Sequence, residues 1–244
     1  MFAAYFDQFN VVKLIMIRVN SVDWSVTFTN SSMMMVLAVI ISWSLLEWNK
    51  LIPNRWQFLN EYLYINIYSG IQDNLGKLGQ KFFPFVLCLF IFIVMLNILG
   101  LIPYVFVPTA QIVITLGISV SIIIAVILLG FFTFKLNFLS ILMPAGVPLV
   151  LAPFLVVIET VSYLIRAISL GVRLAANISA GHLLFGILSG FAFNMLSSEM
   201  IISSLLPMLI MIFITLLEIM VAIIQAYVFC LLTTIYLGDT IALH

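Results

Sequence analysis

The chain has 244 residues, of which 65% are hydrophobic and 7% are charged, and its mean hydropathy is +1.31. These values exclude an ordinary soluble fold and indicate a protein whose solvent is the lipid bilayer. Nine basic and nine acidic residues cancel, so no charged field favours nucleic acid or a cationic partner. Cys88 and Cys230 lie in apolar runs, which favours two buried thiols over a disulfide, and we predict no cofactor and no metal.

Five stretches reach the roughly 20 apolar residues that a helix needs to cross a hydrocarbon layer of about 30 Å. They cover residues 27–46, 82–102, 112–134, 147–190 and 203–237. The last two are too long for a perpendicular crossing at about 1.5 Å per residue, so we expect a long, tilted, antiparallel hairpin that turns within 193–203. The predicted fold class is an all-α integral membrane protein, a single membrane domain over 1–244 with about five transmembrane helices.

Two stretches between these spans have a different character. In residues 49–81, tryptophan and tyrosine alternate with charged side chains, a composition typical of the membrane–water interface. We therefore predict an interfacial segment that contains a short amphipathic helix. Residues 144–148 have proline at both ends, which predicts a break before the fifth span.

The distribution of basic residues predicts the orientation. The basic residues that follow the first and fourth crossings are Lys50, Arg55, Lys77, Lys81 and Lys135, whereas 103–111 has no charge. Basic loops stay on the cytoplasm-like or matrix-like side of a membrane. We therefore expect the C-terminus on that side and the N-terminus on the opposite side.

Ionisable residues inside the last two spans indicate where function lies, because inserting each one at the bilayer centre costs at least about 2–3 kcal/mol of free energy. The polar residues of these spans are Glu159, Arg166, Arg173, Asn177 and His182 on the first, and Glu218, Gln225 and Asp239 on the second. At about 100° per residue, Glu159, Arg166 and Arg173 form one stripe. Asn177 stays close to that stripe, whereas His182 points to the other side of a straight helix.

Folding the two spans into a hairpin groups these residues by depth. Counting outward from the turn pairs His182 with Glu218, Arg173 with Gln225, and Glu159 with Asp239. The outer two levels contain proton-exchanging groups near opposite surfaces, and the arginine between them does not release its proton. The pattern indicates two aqueous half-paths separated by a fixed positive charge.

Structural interpretations compete with this one. Arg166 either reaches the headgroups or pairs with Glu159, His182 could be a packing residue, and Glu218 could be a buried, hydrogen-bonded acid. Asp239 lies near the chain end, where solvated residues are ordinary. Small residues surround Arg173, namely Ser169, Gly171, Ala175, Ala176, Ser179, Ala180 and Gly181. Such a surface lets another helix approach closely, so we expect a partner helix that carries the counter-charge.

The stretch Ser169-Leu-Gly-Val-Arg173-Leu-Ala-Ala-Asn177-Ile-Ser-Ala-Gly-His182 resembles the signature of subunit a of rotary (F-type) ATP synthases. The motifs Pro144-Ala-Gly-Val-Pro-Leu, Leu151-Ala-Pro-Phe and Gln225-Ala-Tyr-Val-Phe support the resemblance, which covers the chain from about Lys81 onward. The ending Tyr236-Leu-Gly-Asp239 is most similar to the mitochondrial branch. Ala175 departs from the phenylalanine that is common at that position, and this puts local packing in doubt.

This resemblance implies a stator subunit of the membrane sector that couples proton flow to the rotation of a c-ring. A proton would enter from the intermembrane side through His182 and Glu218 and leave to the matrix through Glu159 and Asp239. Arg173 would attract the ionised ring carboxylate and block direct leakage. Asn177 and Gln225 would orient Arg173 and water.

The implied partners are the c-ring, the peripheral stalk and other membrane-sector subunits, membrane lipids and protons, and no nucleic acid. The chain has no phosphate-binding glycine-rich loop, so we expect a non-catalytic proton-channel subunit with no ATP site. The implied location is the mitochondrial inner membrane, as a multi-pass protein with the N-terminus on the intermembrane side and the C-terminus in the matrix. A proton-coupled secondary transporter and a structural subunit of a respiratory complex remain alternatives.

Overall fold

The computed structural model describes residues 9–18, 25–45, 54–102, 105–135, 152–198 and 201–241. Within these ranges the chain is almost entirely α-helical, which agrees with the predicted fold class. The α-helices are α1 (Asn30–Leu45), α2 (Arg55–Leu75), α3 (Phe83–Gly100), α4 (Ile112–Phe134), α5 (Ala152–Ser197) and α6 (Ile201–Ile241). Short 3₁₀ turns at Gly76–Lys81 and Pro108–Ala110 precede α3 and α4.

Four helices, α3 to α6, are long and apolar enough to cross a membrane. The first predicted span differs from the expected 27–46, because residues up to Thr29 form a strand and α1 has 16 residues. The 16 described residues measure about 24 Å along the helix axis, beside a hydrocarbon core of about 30 Å. Among the described helices, α1 is therefore a shorter apolar helix beside four full-length candidates.

The predicted interfacial segment contains the amphipathic helix α2. One face of α2 is buried, with Ile67 at 6% and Ile71 at 3% exposure, and Phe58 and Tyr62 are exposed on another. The helix ends at Gly76, whose φ of +61° lies in the left-handed region that glycine adopts without cost. These features suit a helix that lies at an interface.

A small antiparallel hairpin precedes α1 and was not predicted. Strand β1 (Lys13–Arg18) pairs with β2 (Ser25–Thr29), with an irregularity between Lys13 and Ile15. The strand sequences are rich in isoleucine, valine and threonine, which favour extended backbone. Each strand has only five or six residues, too few for the alternation to stand out in an apolar sequence.

The two long helices extend the predicted hairpin. Helix α5 has 46 residues and continues to Ser197, and α6 has 41 residues and begins at Ile201. Residues 193–197 and 201–203 are therefore helical rather than part of the predicted turn. At 1.5 Å per residue these lengths are about 69 Å and 62 Å, about twice the thickness of a 30 Å hydrocarbon core. The predicted break at 144–148 lies outside the described residues.

Contacts divide the chain into two compact units that share the long helices. The first unit contains the hairpin, α1, α3 from Ile91, and the parts of α5 and α6 between Leu174 and Ala226. The second contains α2, α3 up to Phe90, α4, α5 up to Arg173, and α6 from Tyr227. Each unit contains one group of the predicted polar residues.

Candidate functional site

The first group, called here the Glu218 cluster, consists of Asn177 and His182 on α5 and Glu218 and Gln225 on α6. Gly181 brings the two helices together. A β-carbon built on this glycine would lie 2.7 Å from Cδ of Glu218 and 2.9 Å from its Cγ. Because Gly181 has no side chain, Glu218 packs against α5 at this position. Gly181 directly precedes His182 in the sequence.

Gln225 and Asn177 form the second contact of the Glu218 cluster. The Asn177 Nδ2 donates a hydrogen bond to Gln225 Oε1 at 3.2 Å, and Gln225 is buried with 5% exposure. Counting by depth paired Gln225 with Arg173, which lies four residues before Asn177 on α5. Side chains on a helix lean toward its N-terminus, so the depth of the backbone does not fix the depth of the polar group.

The second group, called here the Asp239 cluster, consists of Glu159, Tyr163 and Arg166 on α5 and Tyr236 and Asp239 on α6. Arg166 Nη1 lies 3.9 Å from Asp239 Oδ2, and both side chains are about half exposed, at 41% and 46%. Arg166 therefore has an ion-pair partner inside the protein, and that partner is Asp239. At this exposure the pair contributes about 0–1 kcal/mol to stability.

Two tyrosines complete the Asp239 cluster and were missed by sequence reasoning. Tyr163 interacts electrostatically with Asp239, Arg166 and Glu159, and its ring centroid lies 5.4 Å from Arg166 Cζ. Tyr236 interacts electrostatically with Arg166, Arg173 and Asp239. Their spacing was a usable signal, because Tyr163 lies four residues after Glu159 and Tyr236 three before Asp239.

Arg173 lies on an exposed face of α5. Its Nη2 donates to Ser169 Oγ at 3.4 Å, and among the described residues it forms no ion pair. Ser169, Ala176 and Ala180 are also exposed and follow the spacing of a single helix stripe around it. A guanidinium in such a stripe is accessible to a group on another helix.

The other small residues near Arg173 face the protein interior. Gly171 packs against α4, since a β-carbon there would lie 2.6 Å from Ser119 Oγ and 3.0 Å from Leu116 Cα. Ala175 is completely buried. The small residues predicted around Arg173 thus serve two surfaces, an internal one and an exposed one.

Asn97 and Thr109 are two further buried polar residues that sequence reasoning did not select. Asn97 on α3 donates from Nδ2 to the carbonyl oxygen of Ala222 at 3.1 Å, and both Asn97 and Thr109 have 0% exposure. Neutral polar residues are common in membrane helices, so neither stood out in the sequence as a charge does.

The fold and its clusters define a multi-pass α-helical membrane protein with ionisable groups along its two longest helices. Residues 28–238 match the family described as ATP synthase A chain. The chain therefore belongs to the ATP synthase A chain family, in its mitochondrial branch.

Similar proteins cover nearly the whole chain. An ATP synthase subunit a from Metridium senile is 62% identical over 242 residues, 99% of this chain and 99% of that protein. Subunits of the same name from Marchantia polymorpha and Zancudomyces culisetae are 44% identical over 248 residues and 42% over 245, with 98% of each chain covered. Membership of this family removes the secondary-transporter alternative. The chain is a proton-translocating subunit of the ATP synthase membrane sector and works with other components of that sector in the inner membrane.

Proposed function

We propose that this chain is the stator that couples proton flow to rotation of a c-ring, with two offset half-channels and Arg173 between them. The Glu218 cluster forms the inlet on the intermembrane side, and the Asp239 cluster forms the outlet on the matrix side. Glu218 and Asp239 are 21 residues apart on α6, or about 31 Å along its axis. This separation supports two paths that open on opposite surfaces.

The exposed stripe around Arg173 is the observation that carries the proposal. An arginine in an apolar environment requires a counter-charge, and within the described part of the chain no carboxylate forms an ion pair with it. Ser169, Ala176 and Ala180 provide the small surface that a second helix needs for close approach. A ring helix with a mid-membrane carboxylate has the matching shape and charge.

Proton transfer during rotation depends on two kinds of side chain, those that exchange a proton and the arginine that keeps its proton. His182 and Glu218 can accept a proton and pass it to a ring carboxylate, which is then neutral and crosses lipid at a lower cost. At the outlet, Glu159 and Asp239 can receive the proton when the carboxylate ionises. Arg173 stabilises the ionised form and keeps its own proton, so it prevents a direct leak between the paths.

The decisive variant is Arg173→Ala in the complete ATP synthase of inner-membrane vesicles. We expect assembled complexes that have lost proton-driven ATP synthesis. Arg55→Ala is a suitable control, because Arg55 lies on the interfacial helix α2 and should leave synthesis unchanged. Normal synthesis by assembled Arg173→Ala complexes would refute the proposal.

The assignment of the two half-channels has its own test. Glu218→Gln should slow proton delivery from the intermembrane side, and Glu159→Gln should slow release to the matrix, because an amide cannot exchange a proton as a carboxylate does. Passive proton conduction by the membrane sector, driven in each direction, measures both effects. If neither variant alters conduction, the assignment is wrong.

A further inference from the structure

A narrow groove lies between α2, the start of α3 and the C-terminal part of α6, all within the second compact unit. Its volume is about 290 Å³, and among the described residues that line it none is acidic or basic. The buried residues of this lining form the floor of the groove, namely Ile67 and Ile71 of α2, Val86 of α3, and Cys230 and Thr234 of α6. The proposed function gives this groove no role.

The polar side chains of the floor form their hydrogen bonds within the protein. Thr234 Oγ1 donates to the carbonyl oxygen of Leu231 at 2.7 Å, and Cys230 Sγ donates to the carbonyl oxygen of Val86 at 3.8 Å. The floor therefore offers little to a buried water, which needs two to four polar partners. It offers as little to an extended peptide, whose backbone groups must all be satisfied inside a membrane. An alkyl chain has no such requirement.

The rim of the groove is polar. Asn66 and Asn74 of α2 and Tyr227 of α6 also line the groove, and all three are exposed. Their amide and phenol groups can donate hydrogen bonds. Because α2 is the interfacial helix, this rim suits the level of the lipid headgroups. An apolar floor below a polar rim matches an amphiphilic ligand.

The width of the groove distinguishes an alkyl chain from a helix. The residues that line it on α6 extend from Tyr227 to Thr234, which is about 10 Å along the helix axis. A volume of about 290 Å³ over that length corresponds to a mean cross-section of about 28 Å² and a width of about 6 Å. A helix with its side chains is about 10–12 Å wide. Apolar carbon atoms pack about 3.5–4.0 Å apart, so a single extended alkyl chain fits this width.

The turn that follows α2 adds a positive charge beside the groove. A β-carbon built on Gly79 would lie 2.9 Å from Cγ2 of Ile71, so this turn packs against a residue of the floor. Lys81 is two residues further on and is exposed. Since a lysine carries its ammonium on a flexible four-carbon stem, Lys81 can reach a phosphate at the rim.

We propose that the groove binds one anionic phospholipid of the surrounding membrane. One acyl chain lies along Ile67 and Val86, and the headgroup lies at the rim beside Lys81. A lipid in this position joins the interfacial helix α2 to α6. This inference concerns a surface apart from both polar clusters and does not depend on the proposed proton path.

The test uses the complete ATP synthase, mixed in detergent with photoreactive phosphatidylglycerol and reconstituted into phosphatidylcholine vesicles. The photoreactive group is a diazirine near the end of an acyl chain, and peptide mass spectrometry locates the residues that it labels. We expect labelling of Ile71 and Leu231, which line the groove from opposite sides. If neither is labelled in the unsubstituted complex, another part of the complex covers the groove and the inference is overturned.

Gly70→Leu fills the groove. Gly70 lines it and has no atom within 4 Å of its β-carbon position, so a side chain enters there without a clash at that carbon. We expect about tenfold less labelling of Leu231, which corresponds to about 1.4 kcal/mol. Gly117→Leu is the matched control, because Gly117 has the same open space but lies on α4, and its labelling should be unchanged. Equal labelling of Leu231 in the two variants would refute a lipid in the groove.

A second variant tests the headgroup and does not depend on the first. Lys81→Gln should lower labelling by phosphatidylglycerol about fivefold, which corresponds to the roughly 1 kcal/mol that a basic residue contributes near anionic lipid. Labelling by phosphatidylcholine with the same diazirine chain should not change. Lys135→Gln is the control, since Lys135 is an exposed lysine that directly follows α4. Equal labelling by the two lipids in the unsubstituted complex would overturn the anionic ligand.

Discussion

The side chain of Glu218 lies against the backbone of Gly181, in space that a β-carbon would occupy. A charged residue in a membrane helix is visible in a sequence because of its cost, whereas the glycine that gives it room is one of twelve. Asn97 and the tyrosines of the Asp239 cluster were missed because, like the glycine, they carry no charge that makes them costly in a membrane helix. Their importance depends on neighbours from other helices.

Gly181→Ala should displace the Glu218 carboxylate and lower proton-driven ATP synthesis by about tenfold or more, since misplacing a reacting group by about 1 Å can cost about 100-fold. The measurement is synthesis per assembled complex in vesicles. Gly117→Ala is a matched control, because Gly117 also lies within a helix but has no atom within 4 Å of its β-carbon position. Equal rates for the two variants would contradict the role given to Gly181.

Helix α2 is held at its C-terminal half by aromatic contacts with the start of α3. The ring centroid of Phe83 lies 4.6 Å from that of Tyr64 and 5.5 Å from that of Tyr68, in edge-to-face arrangements. Such pairs contribute about 0.5–1.5 kcal/mol each beyond the area that they bury. An amphipathic pattern predicted this helix, but the residues that fix it to α3 became apparent only from the structure.

Phe83→Ala should loosen α2 and make it more sensitive to protease, because truncating a buried phenylalanine costs about 3–5 kcal/mol. The rate of cleavage within α2 in membrane vesicles measures the effect. Phe85→Ala serves as the control, since Phe85 is 47% exposed and Phe83 only 8%. Cleavage at the same rate in both variants would exclude the anchoring role of Phe83.

The topology of the whole molecule depends on α1. Its 16 described residues measure about 24 Å along the helix axis, so a crossing of about 30 Å also needs residues beside them or local thinning of the bilayer. With α1 spanning, the chain crosses five times and its termini lie on opposite sides. With four crossings, both termini lie on the same side.

We expect five crossings, with the N-terminus on the intermembrane side, because the basic loops favour that orientation. An epitope at the N-terminus should be cleaved by protease added to mitoplasts, and one at the C-terminus only in inverted inner-membrane vesicles. Cleavage of both epitopes from the same side would establish that α1 does not span.

The family was predicted from a resemblance of sequence motifs. Composition, span lengths and the cost of buried charge were enough to predict an all-α membrane protein and to select its charged residues. These properties are local or additive, so they can be derived from one-dimensional spacing. The pairing of Asn177 with Gln225 and of Arg166 with Asp239, the contact of Gly181 with Glu218, and the burial of Asn97 were decided by the tertiary structure. They depend on side-chain reach and on the approach of separate helices, which spacing along one helix does not specify.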